Sequence, residues 1–253
     1  MANPFLSLIG AGPGDPDLIT VKAIKTISKA KVILYDALVN ESLLEYATPD
    51  AIIRFVGKRY NCHSISQQGI NDLIVDMAYT YGHVARLKGG DPFVFARAAE
   101  EIAAAHEAGI GVEVISGVSS ALSVPASALI PVTCRGIAES CWITTGTNQA
   151  GELSGDIELA ARSSATVVIL MAMSKLEEIM DIFASHGKSD TPVAIIQEGT
   201  TSRQRVISGT VKDILYRAEA AGITNPAVIV VGDVVNLGLK HQQNNSYCLH
   251  EKR

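Results

Sequence analysis

The chain has 253 residues, 47% hydrophobic and 19% charged, with a formal net charge of -5. That content supports a buried core and excludes an intrinsically disordered chain, and the acidic balance excludes recruitment of nucleic acid by a global basic field. The cysteines Cys62, Cys134, Cys141 and Cys248 form no Cys-x-x-Cys pair, so no metal site is expected, and no apolar run approaches the roughly 20 residues of a membrane span.

In chain order, FLSLIG predicts a first strand that runs into the glycine turn GAGPGD at residues 10–15. TVKAIKTISKA predicts a helix with Thr20 as N-cap and Val21, Ile24 and Ile27 on one face. KVILYD predicts a second strand ending at Asp36, ESLLEYA a short helix, and AIIRFVG a third strand before the polar loop KRYNCHSIS. QQGINDLIVDMAYTYG reads as a helix. HVARLKGGD reads as a strand entering a second glycine turn. FARAAEEIAAAHEAG predicts an alanine-rich helix closed by Gly109, and VEVIS a fifth strand.

SGVSSALSVPASALIPVTCRG breaks the rhythm. It is rich in small residues and reads as a hinge carrying a short helix. Alternation then resumes, with ESCWITTGT, TVVILMA, PVAIIQEG, QRVISGT and PAVIVVGDVV as strands and DIELAAR, SKLEEIMDIFASHG and VKDILYRAEAAG as helices. The expected architecture is α/β, with an N-terminal lobe over residues 1–117, a C-terminal lobe over 118–240 and a polar tail over 241–253.

The first glycine turn is not a dinucleotide fingerprint. Gly10 and Gly12 fit, but the sixth position is Asp15, whose charge opposes a pyrophosphate, and Pro13 lacks the N–H that a phosphate needs. The turn suits close backbone approach to a ligand without phosphate, or simply a tight strand-to-helix connection. In open α/β sheets ligands bind beyond the carboxyl ends of strands. The residues expected there are Asp36, Gly57, Lys58 and Arg59, then Lys88 to Pro92, and Met171 and Gly199 in the second half. Arg54, Lys58, Arg59, His63, Arg86, Lys88 and Arg97 read either as one basic trough for a polyanionic small molecule or as solvated surface.

Several stretches together resemble the uroporphyrinogen-III C-methyltransferases of the tetrapyrrole methylase family. They are LIGAGPGDPDLITVKAIKTISKAKVILYDALV, VGKR followed by His63, RLKGGDPFVFAR, IPVTCRGIAES, TPVAIIQEGTTSRQRVISGT and NPAVIVVGDVV. The resemblance implies a two-lobed fold with S-adenosylmethionine bound in the cleft between lobes and S-adenosylhomocysteine as product. It places cofactor contacts on Pro13, Gly89, Gly90, Asp91, Val94, Ser119, Ser120, Met171, Ala194, Gly199 and Ala227. It places acid–base roles on Asp36 and Lys58, and a substrate trough on Arg59, His63, Arg86 and Arg135.

The implied reaction is methylation of two ring carbons of uroporphyrinogen III to give precorrin-2, for sirohaem or cobalamin synthesis. The implied protein is a cytoplasmic homodimer acting on a small tetrapyrrole, with no nucleic-acid or membrane partner. Related precorrin methylation, or cofactor binding with weak turnover, is the alternative. Where the family reads FGRGGEE this chain has FARAAEE at 95–101; THR becomes Thr133-Cys134-Arg135, and TGH becomes Thr145-Gly146-Thr147. These departures bear on turnover and substrate choice more than on the cofactor.

Overall fold

The structure, a computed structural model, describes residues 3–57, 65–148 and 150–238. The chain divides into two compact units, one ending at Ser119 and the other starting at Ser120. Among the described residues no helix is long and apolar enough to cross a membrane.

The first unit is built on five parallel strands: β1 (Phe5–Gly10), β2 (Val32–Tyr35), β3 (Ile52–Phe55), β4 (His83–Lys88) and β5 (Gly111–Ile115), in the order β3-β2-β4-β1-β5. Parallel pairing requires crossover segments, and these cover both faces. One face packs on α1 (Val21–Ile27), through Ile9, Ile33, Ala85 and Leu87 against Ala23 and Ile27. The other packs on α2 (Gln67–Tyr81) and α3 (Ala98–Glu107), through Leu6, Leu8, Leu34 and Val84 against Ile70, Ile74 and Ala105. Side chains in a strand alternate faces. Arg86 and Lys88 therefore share the α2/α3 side with Val84.

Thr20 caps α1 as expected, its Oγ1 accepting from the Ala23 amide. ESLLEYA is a 3-10 helix (Glu41–Tyr46) rather than an α-helix; it buries only Leu43, so no apolar stripe of helical period holds it in the wider form. The helix α3 begins at Ala98, later than the apolar pattern from Phe95 suggests. Phe95 and Arg97 adopt left-handed backbone, with φ of 53° and 58°, and so stand outside the helix.

In the second unit, β6 (Cys141–Thr145), β7 (Thr166–Leu170), β8 (Pro192–Gln197), β9 (Arg205–Thr210) and β10 (Ala227–Val231) form a sheet in the order β6-β7-β10-β8-β9. It is mixed. The last strand enters its centre antiparallel to both β7 and β8. One face packs on α5 (Asp156–Arg162), α6 (Leu176–Ser185) and α7 (Ile214–Ala220) around Val167, Ile169, Phe183, Ile195 and Ile229.

The segment read as a hinge contains α4 (Ser120–Ser127), which packs against β7 and β10 and buries Ala121, Val124 and Pro125. Its small residues serve close packing.

Candidate active site

All five strands of the first sheet point the same way, so their carboxyl ends share one edge. Three of those ends are joined backbone to backbone. Gly12 and Gly90 exchange amide hydrogen bonds, Gly90 donating at 2.7 Å and Gly12 at 3.2 Å. A side chain at Gly10 would lie 2.7 Å from the Gly90 oxygen, and one at Gly117 would lie 2.7 Å from the Gly10 Cα. Gly10 and Gly117 are thus required by the approach of three strand ends to one another, and Gly12 by a φ of +80°. The first glycine turn answers to a neighbouring turn of the same chain, an origin that its spacing alone did not reveal.

Asp91 completes this joint. One carboxylate oxygen accepts from the Phe93 amide at 2.8 Å, and the other from the Gly117 amide at 3.0 Å. Both oxygens therefore hold backbone, fixing the turn that presents Gly89, Gly90 and Val94. Pro13 is half-buried beside it. Nothing here is a phosphate cradle, because Pro13 offers no N–H and Asp15 turns a carboxylate oxygen to the Asp17 amide. The amides of Gly12, Gly90, Phe93 and Gly117 donate within the chain, so this edge does not suit a polyphosphate.

Beside this edge lies a chain of four ionised side chains. Arg86 is 2% exposed. Its Nη2 donates to Asp36 Oδ1 at 2.6 Å, its Nε to Glu101 Oε1 at 3.2 Å and its Nη1 to the Leu87 carbonyl at 2.9 Å. Lys88 Nζ reaches the same Glu101 oxygen at 2.7 Å, and Gln67 Nε2, itself bonded to Asn71, approaches it at 3.4 Å. Glu101 is fully buried, whereas the Asp36 side chain is 29% exposed. The network thus leads from a fully buried carboxylate to a partly accessible one through a single guanidinium. Burial, reinforced by the neighbouring Arg86 charge, pulls the Lys88 ammonium below the usual lysine range, while Glu101 and Asp36 oppose the shift.

Arg86, expected in a substrate trough, is turned into the protein, because a guanidinium in a central strand needs buried anions, and Glu101 and Asp36 provide them. Ala194 is the cofactor contact expected in PVAII. It lies within β8 opposite Val230 and is fully buried. Lys58, Arg59 and His63 lie outside the described residues. Arg135 is exposed in a loop of the second unit, closed by the backbone pairing of Cys134 with Ala138.

In the second unit the other expected residues converge. Leu170 pairs with Val228, and Gln197 with Ala227. Met171, Gly199 and Ala227 therefore gather at one end of the sheet. Met171 is 52% exposed with a φ of 53°, and Glu198 and Thr200, flanking Gly199, have φ of 47° and 67°. Non-glycine residues rarely adopt this conformation, and such strain concentrates where backbone is held for a ligand. Phe95 and Arg97 extend the pattern to the turn after Val94. Ser119 ends the first unit, and Ser120 begins α4.

The buried carboxylate of Glu101 is the member of this network that sequence reading did not single out. A signal for it exists: Arg86 and Lys88 stand two apart on one face of a central strand, and such a pair needs an anion from the covering helix.

Residues 6–215 match the model of the tetrapyrrole (corrin/porphyrin) methylases. A Methanocaldococcus jannaschii protein named uroporphyrinogen-III C-methyltransferase is 46% identical, over 91% of this chain and 96% of its own length. A Bacillus subtilis protein of the same name is 44% identical over 93% of this chain, which spans 50% of that longer relative. Among solved structures, a Thermus thermophilus uroporphyrin-III C-methyltransferase complexed with S-adenosyl homocysteine has a TM-score of 0.79 and 32% identity, covering 92% of this chain and 99% of that one. A cobalt precorrin-4 methyltransferase has a TM-score of 0.82 at 26% identity, covering 90% of this chain. By its residues, its fold and these matches, the chain belongs to the tetrapyrrole methylase family.

Proposed function

We propose that this protein is an S-adenosylmethionine-dependent methyltransferase that methylates two ring carbons of uroporphyrinogen III, giving precorrin-2 for sirohaem or cobalamin synthesis. The observation that carries the reading is the 46% identity to the Methanocaldococcus jannaschii protein across 96% of that protein's length. The T. thermophilus complex supports the cofactor. The likeness to a cobalt precorrin-4 enzyme keeps a related tetrapyrrole substrate as the second reading.

S-adenosylmethionine, when bound, supplies an electrophilic methyl group on sulfur. The rest is assigned to the chain. Carbon methylation of a pyrrole leaves a proton to be removed, and the partly exposed carboxylate of Asp36, steadied by Arg86, is the proposed acceptor. Lys58 is the proposed donor or electrostatic partner. Pro13, Gly89, Gly90, Asp91, Val94, Ser119, Ser120, Met171, Gly199 and Ala227 are proposed for the cofactor. Arg59, His63 and Arg135 are proposed for the carboxylates of the tetrapyrrole, which guanidinium groups match in geometry. We place the protein in the cytoplasm as a homodimer, by resemblance to its family.

The test is anaerobic incubation with S-adenosylmethionine and uroporphyrinogen III, read by mass spectrometry. A gain of two methyl groups is expected. Cofactor binding without any gain would move the reading to another tetrapyrrole.

A further inference from the structure

We infer that Glu101 is a positioning residue for methyl transfer: it anchors the Arg86 guanidinium from below and so fixes the carboxylate of Asp36. The inference rests on the methyltransferase reading and on Asp36 as its proton acceptor.

The geometry is a two-sided clamp. A guanidinium is planar and rigid, so holding one edge determines where the other points. Glu101 takes the Nε edge at 3.2 Å, and Asp36 takes Nη2 at 2.6 Å. The Leu87 carbonyl takes Nη1 at 2.9 Å and removes the remaining freedom of rotation. Glu101 is itself held from two further sides, by Lys88 Nζ at 2.7 Å and by Gln67 of α2 at 3.4 Å. These contacts bring together α2, α3 and the central strand β4. The position of Asp36 is therefore set by the helix layer beneath the sheet as well as by its own short turn.

The charges make the same point. Asp36 and Glu101 carry two negative charges, and Arg86 and Lys88 two positive ones. Loss of the Glu101 charge leaves Arg86 and Lys88 repelling each other in a buried site, with Asp36 still paired to Arg86. A stability role alone would not require this arrangement, because well-packed apolar residues usually serve as well as a buried ion cluster. Only one member of the cluster, Asp36, is appreciably accessible.

The test is a double-mutant cycle on kcat with Glu101→Gln and Asp36→Asn, in the full-length protein with S-adenosylmethionine and uroporphyrinogen III. Glu101→Gln keeps the shape and removes the charge. The expected result is a kcat about 10-fold lower in the wild-type background, KM for both substrates within about twofold, and less than about twofold further loss when Asp36 is already Asn. Equal losses in both backgrounds, or none in either, would overturn the inference.

A wild-type protein that leaves uroporphyrinogen III unmethylated defeats the substrate reading instead. The inference is then decided by the crystal structure of the neutral pair Glu101→Leu with Lys88→Met, which also serves if the single variant does not fold. Displacement of the Asp36 carboxylate by about 1 Å or more supports it, and a carboxylate in its present position overturns it.

Discussion

The two units share a plan of five strands and covering helices but fill their sheets differently. The central β4 of the first sheet carries Arg86 and Lys88 inside, against a buried Glu101. The central β10 of the second reads AVIVV, between TVVIL and PVAII, with no ionised residue within those runs. Charge inside a sheet costs desolvation free energy, and among the described residues of the second unit no ionisable side chain is buried. The first unit accepts it at the edge where Asp36 stands. The second contributes strained backbone around Met171 and Gly199.

The sharpest break of this contrast would come from Asp36→Asn. We expect kcat to fall by about 100-fold or more, with S-adenosylhomocysteine affinity by calorimetry unchanged. Full turnover in the variant would remove the catalytic half of the comparison. Next in size are core changes compared across the units. Glu101→Leu strands two buried cations and should cost about 3–5 kcal/mol by urea unfolding. Ile229→Val trims one buried methyl group in the second unit and should cost about 1 kcal/mol. Similar costs would show that the ionic interior carries no special penalty.

Smaller effects are expected at the glycines. Gly10→Ala drives a methyl group into backbone of two other strand ends and should destabilise by about 2 kcal/mol. Gly199→Ala meets the Val124 side chain first, at 2.7 Å from Cγ2, rather than backbone, and should cost less. Val124→Ala in the same chain should restore it. Equal damage at the two glycines, read by thermal unfolding, would argue against the backbone joint.

The smallest expected effect is a pH dependence confined to the first unit. Burial lowers His83 below its ordinary value of 6.5, against opposing contributions from the Lys29 carbonyl and Glu113, while Ser7 Oγ lies 2.8 Å from its Nε2. The unfolded chain then binds the proton more readily than the fold does. Stability contributed through His83 is complete above about pH 6.5 and declines as pH falls through the lowered folded value. His83→Gln should flatten that slope in melting temperatures taken between about pH 8 and about pH 5. An unaltered slope would assign the dependence elsewhere.

Much of this was legible before any coordinates. Strands such as TVVIL and PVAII announce themselves because apolar runs of that length bounded by turn residues have few alternatives. Asp36 was legible as a strand-end acid. The role of Arg86 was not: a basic residue near a ligand edge reads as a substrate contact until the anions that face it are known, and Glu101 lies 15 residues further on, in another element. The joint between the turns was hidden for a related reason: Gly10 and Gly117 are distant in sequence, so a motif confined to the first turn does not show that its glycines also meet another part of the chain. The reversed insertion of β10 was equally hidden, because apolar alternation has no direction.

The pairing of Gly12 with Gly90 has a consequence for how such a protein can be altered. Two loops that belong to different strands behave mechanically as one part. An insertion into either displaces both. Loop grafting intended to change what the protein accepts therefore belongs outside these two turns, which are left as the fixed frame.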